Sequence, residues 1–104
     1  MRRRIVNIDR LCEFAYGARE DLDASRVYRA SKRLRAQSVA VGLTEKERRI
    51  RCLLSEAMRH LARAIFRRRE FHAKGRTAGF GRTQEIERNA HLLISDAIRA
   101  QEGL

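Results

Sequence analysis

Apolar residues recur along the chain at three- and four-residue intervals, the period of helices with one buried side. Ile5, Ile8, Leu11, Cys12, Ala15 and Leu22 form the first series and predict a helix from about Ile5 to Glu20. Past Leu22 the series fails. Asp21 or Asp23 is suited to cap a new helix there, although one long helix with a shifted face fits the same residues. Val27, Ala30, Leu34 and Val41 make the second series, with Arg26, Arg29 and Arg33 on its solvent side and Gly42 at its end. No stretch alternates apolar and polar residues for long enough to suggest a strand.

At Leu43–Glu47 the chain carries a capping box: the Thr44 hydroxyl can accept from the Glu47 amide while the Glu47 carboxylate reaches back to the Thr44 amide. A third helix should run from there to about His72. Ile50, Leu54, Ala57, Met58, Leu61 and Ile65 share about one-third of its circumference. Arg48, Arg49, Arg59, Arg63 and Arg67 occupy the opposite arc. The glycines at 75, 79 and 81 place a loop at Ala73–Arg82. A fourth helix from Thr83, with Glu85 and Glu87 near its positive end, buries Ile86, Ala90, Leu93, Ile94 and Ala97 and ends before Gly103. The expected fold is all-α: a single helical domain over residues 1–104, built as a small antiparallel bundle of three to four helices. A chain this short hides only about 60–70% of its unfolded surface, so a homodimer or a place in a larger complex is expected.

Composition sharpens the picture. Proline is absent, which permits long helices, and 43% hydrophobic residues suffice for a core. The balance of 24 Lys+Arg against 13 Asp+Glu leaves a net charge of +11, which calls for a polyanionic partner. No apolar run approaches the roughly 20 residues that span a bilayer, and Met1–Asn7 has no apolar stretch behind its arginines. Cys12 and Cys52 are too few for a disulfide framework and are expected to be small buried residues. A cytoplasmic protein that does not engage membranes fits these features. Of the basic residues 21 are Arg and 3 are Lys. Guanidinium forks bind phosphate bidentately and stack on bases, although a GC-rich genome produces the same bias.

The candidate nucleic-acid-binding residues fall in two groups. Arg48, Arg49, Arg59, Arg63 and Arg67 could track a phosphate backbone and release its counterions. Lys74, Arg76, Phe80 and Arg82 lie in a segment where Gly-Arg-Thr occurs twice around a glycine-flanked phenylalanine, suited to wrap a phosphate and stack a base. The plainer alternatives are a solvated Arg face paired with Glu56 and Glu70, and a connector whose Phe80 folds onto the core. A Walker loop is excluded, because Arg82 replaces its lysine and no strand precedes it. His60, His72 and His91 lack metal-ligand spacing, and Asp9, Asp96 and the glutamates show no paired-carboxylate pattern, so no metal or cofactor is expected. Phe14, Tyr16, Tyr28, Phe66 and Phe71 are assigned to the core or to a dimer contact.

Several families share fragments of this pattern. Leu43–Arg48 resembles the opening helix of some helix-turn-helix regulators, but no turn follows within about ten residues. Arg67 and His72 have the Arg-x-x-x-x-His spacing of the helical HEPN ribonucleases. Arg2, Ile5, Ile8, Asp9, Arg19 and Leu22 resemble the first helix of the helical chorismate mutases, and Leu92–Ile94 with Gln101 resemble their last. That resemblance implies arginines clamping a dicarboxylate, yet Ala30 stands where the family has a lysine. In size and charge the chain is also similar to small helical subunits of CRISPR effector complexes. The leading expectation is non-enzymatic: DNA or RNA bound through phosphate contacts, by a regulator or an accessory subunit of a nucleoprotein complex. The alternatives are a modulator or inhibitor of phage or plasmid origin whose Arg face meets an acidic protein surface, and a chorismate-mutase-like enzyme.

Overall fold

Asn7 starts the first helix. Its side-chain oxygen accepts from the Arg10 amide at 3.1 Å, and α1 spans Ile8–Tyr16. The computed structural model describes the backbone at residues 5–17, 21–73 and 80–103, with side chains there except at 21, 22, 69–73 and 80. The helix therefore opens three residues later than the apolar series suggests, and Ile5 lies 63% exposed outside it. Val6 is instead tied to the far end of the chain. Its amide donates to Gln101 Oε1 at 3.0 Å, and Gln101 Nε2 donates to its carbonyl at 2.8 Å. Gly17 ends α1, its amide donating to the Glu13 carbonyl at 3.0 Å. A separate α2 covers Asp21–Ser38, so Leu22 belongs to the second helix and Asp23 lies within it.

The end of α2 also differs from expectation. Ser38 closes the helix by donating to the Arg35 carbonyl at 2.6 Å, and Gly42 turns the chain with a φ of +91°. Val41, which continues the apolar series on paper, sits in that turn 91% exposed. The capping box forms as read: Glu47 N donates to Thr44 Oγ1 at 3.2 Å, and Thr44 N donates to Glu47 Oε1 at 3.1 Å. From it α3 runs over Glu45–Ala73. The last helix, α4, covers Phe80–Glu102, three residues earlier than Thr83 suggests. Thr83 is buried in its first turn, and Glu85 and Glu87 fall in the second, beyond the strongest part of the helix dipole.

Helix α3 is central. It packs against both α2 and α4, and α1 touches it less extensively. Ile50, Leu54, Ala57, Met58 and Leu61 supply its buried side, meeting Val27 and Leu34 of α2, Ala90, Ile94 and Ala97 of α4, and Ile8 and Ala15 of α1. Ile50, Leu54 and Met58 are almost fully hidden, each contributing about 1.5–3 kcal/mol by leaving water. Small residues bring α2 and α3 together: Ser31 Oγ donates to the Ser55 carbonyl at 2.7 Å, and Ser55 Oγ donates back to the Ser31 carbonyl at 2.8 Å. The molecule measures 53 × 23 × 19 Å, its length set by the 29 residues of α3. Among the described residues there is no strand, and no helix is long and apolar enough to cross a membrane.

Two assignments from the sequence are corrected. Cys52 is exposed and Cys12 only half-buried, because both fall at the margin or outside the core arcs of their helices. Phe14, Tyr16, Tyr28 and Phe66 are exposed, which overturns the core half of their assignment to the core or a dimer contact; for Phe66 helical spacing places the ring opposite the buried side of α3. Phe71 lies outside the described side chains.

Candidate nucleic-acid interface

A phosphate-binding arginine must be exposed and must not already be satisfied by a carboxylate. Arg48, Arg49, Arg59 and Arg63 of α3 are exposed, as is Arg82 of α4. Arg59 is partly neutralised: Glu56 holds it at 3.2 Å and also holds Arg35 of α2 at 3.7 Å. Among the described residues, Arg48, Arg49, Arg63 and Arg82 meet no carboxylate. From Arg48 to Arg63 the helix rises about 22 Å, the length of six or seven nucleotide steps at about 3.4 Å each. Arg67 departs from the expected arc. It is half-buried and engaged within the protein, because its position borders the side of α3 that meets a neighbouring helix.

The loop group is placed only in part. Lys74 and Arg76 lie outside the described residues, as does the Phe80 side chain, while the backbone of Phe80 opens α4. Arg82 is placed on the first turn of α4 rather than in a loop, and this brings it to Arg63. The two line one cleft between α3 and α4, together with His60, Glu85, Ile86 and Asn89, with a volume of about 250 Å³. An ion pair between Arg68 and Glu87 ties the same two helices. Burial holds the His60 imidazole below its ordinary value; Glu56 opposes this, and Arg59 and Arg63 reinforce it. The ring is therefore neutral near pH 7, with two guanidinium groups beside it.

Three residues of this surface were missed in the sequence. Phe66 follows Arg63 by three residues and Arg59 by seven, so helical spacing alone puts it on the cationic arc, where it is 51% exposed. Cys52 follows Arg48 by four and is exposed on the same arc. His60 precedes Arg63 by three and enters the cleft from its α3 wall. Conversely, Arg51 is buried and donates from Nη1 to the Glu47 carbonyl at 3.1 Å. Its place three residues before Leu54 and seven before Met58 aligns it with the core. Among the described residues no cluster of His, Cys, Asp or Glu could hold a metal ion. In comparisons with known proteins, the chain matches no family model, no curated protein and no solved structure.

Proposed function

We propose that the protein binds nucleic acid along α3 and the start of α4, as an antiparallel bundle that acts without catalysis in the cytoplasm. Arg48, Arg49, Arg63 and Arg82 take phosphates, and Phe66 offers a face for a base. The observation that carries this reading is the cleft shared by Arg63 and Arg82, which puts two guanidinium groups from different helices on one side of the molecule. Such groups bind phosphate oxygens as bidentate donors, and each phosphate engaged releases counterions. The antiparallel arrangement is supported by Lys46, which reaches the Gly103 carbonyl at 3.3 Å, while Arg68 pairs with Glu87 further along both helices. A regulator or accessory subunit, as a homodimer or within a larger complex, is the role this chemistry suits.

Fluorescence anisotropy with labelled single-stranded and duplex DNA and RNA tests the reading. Four phosphate contacts should weaken binding at least about tenfold between 50 and 200 mM salt. Arg48→Glu with Arg63→Glu should abolish it, while circular dichroism stays unchanged because both positions are exposed. Absence of binding at about 50 mM salt overturns the proposal in favour of an acidic protein partner for the same arginines.

A further inference from the structure

A second recess lies between α1 and α2 and shares no residue with the α3 surface or with the α3/α4 cleft. Its floor is apolar: Leu34 is buried, Leu11 and Ala30 are half-buried, and the Phe14 ring lies along it partly exposed. Helix α1 is fastened through Val6 to Gln101 and through the Tyr16 hydroxyl to His91 Nδ1 at 3.4 Å, contacts to α4 that leave its α2 side open. Arg10 of α1 and Arg33 of α2 stand in the walls, and no Asp or Glu does. Among the described residues neither guanidinium meets a carboxylate. The recess has a volume of about 490 Å³, the size of a small-molecule site.

We propose that this recess binds an organic monocarboxylate with a hydrocarbon body, the carboxylate held between Arg10 and Arg33 and the hydrocarbon laid on Leu11, Phe14 and Leu34. Two unpaired cations facing an apolar floor are complementary to an anion that carries its own apolar surface. Guanidinium forks match carboxylate geometry, and covering the floor releases its water. Beyond the two guanidinium groups, the side-chain polar partners in the lining are the amides of Asn7 and Gln37. The Asn7 oxygen is already engaged in capping α1, so a heavily hydroxylated or multiply charged ligand finds few partners.

Decanoate is a suitable probe, with decan-1-ol as its uncharged match and inorganic phosphate as an anion without an apolar body. Titration of the full chain, followed by ¹H–¹⁵N NMR, should give saturable shifts confined to amides of α1 and α2. Decanoate should bind about tenfold or more tightly than decan-1-ol, since charge-assisted hydrogen bonds add that much. Arg10→Gln with Arg33→Gln should remove this advantage and leave decan-1-ol binding as it was. Arg48→Gln with Arg49→Gln, on the other surface, should change neither. Ala30→Trp keeps both charges and fills the recess, so it should block both ligands, and it decides the matter if the double glutamine variant does not fold. Equal binding of decanoate and decan-1-ol, loss of decanoate binding on changing Arg48 and Arg49, or displacement by equimolar phosphate each overturns the proposal. So does sedimentation showing a dimer that Ala30→Trp dissociates, which would make the recess a contact between two copies.

Discussion

His60 is where pH enters the proposed interface. Burial lowers its affinity for protons most; Glu56 works against that, and Arg59 and Arg63 with it. Because the folded value lies below the unfolded one of about 6.5, the unfolded chain binds the extra proton first. Stability from the neutral ring is thus complete above about pH 6.5 and is lost as pH falls through the folded value. A phosphate in the cleft reverses the preference by favouring the imidazolium. Binding should take up a proton, so affinity should rise as pH falls from about 8 to 5.5. The gain is about threefold to tenfold, one unit of pKa change between free and bound protein being worth tenfold. His60→Asn should flatten the profile measured by anisotropy at fixed ionic strength; an unchanged slope would place the proton uptake elsewhere. The two thiols provide an independent readout. Burial and then Asp9 raise the Cys12 thiol, whereas Cys52 lies open on the arginine arc. Iodoacetamide at neutral pH should therefore modify Cys52 first, and bound nucleic acid should protect Cys52 while leaving the slower Cys12 rate unaltered, as read by mass spectrometry.

At the scale of elements, the ends of the helices decide how much of the fold was legible. The reciprocal bonds between Thr44 and Glu47 are local, three residues apart, and the sequence pattern located them together with the buried side of α3. Thr44→Ala should cost about 1 kcal/mol in urea denaturation by removing one of them. By contrast, the apolar series that runs back to Ile5 overruns the local cap at Asn7. The residue before that cap, Val6, is held by Gln101 across 95 residues, a contact no local pattern contains. Periodicity tells which residues share a face without telling where the face ends, hence Val41 exposed beyond the true end of α2. The arginine arc was legible for the same reason the core was. The pairing of Glu56 with the arc was legible as well and forms with Arg59. What the pattern could not give was the second partner of Glu56, Arg35 of α2, nor Arg67 drawn inward, nor Arg82 carried to Arg63 by an earlier start of α4. The meeting of α2 and α3 includes the reciprocal bonds of Ser31 and Ser55, which apolar periodicity passes over. Ser31→Ala should cost about 1 kcal/mol for the lost hydrogen bond. Ser31→Leu should cost about 1–3 kcal/mol more by forcing the backbones apart, visible as a lower denaturation midpoint.

The whole molecule carries +11 charges on a body only 53 Å long, and this sets how it responds to salt. The screening length falls from about 30 Å at 0.01 M salt to about 8 Å at 0.15 M. Repulsion among the cations of α2, α3 and α4 is therefore felt across the molecule in the first condition and only between near neighbours in the second. Surface pairs such as Arg26 with Asp23 and Arg99 with Asp96 respond in the opposite sense, but each is worth only about 0–1 kcal/mol. Repulsion should win, and the Tm of the free protein should rise with salt. The nucleic-acid complex should behave in the opposite way. At a ligand concentration of about 100 times Kd, binding adds about 2.7 kcal/mol to stability, or about 10–20 °C for a chain of this size. As salt raises Kd that increment shrinks, so the Tm of the mixture should fall towards the rising curve of the free protein. Differential scanning fluorimetry from about 20 to 300 mM salt, with and without a 20-nucleotide strand, reads both curves in one plate. A free-protein Tm that falls with salt would mean that the ion pairs outweigh the open arginines. The four arginines of the proposed interface would then be too weak a source of field to hold a phosphate backbone.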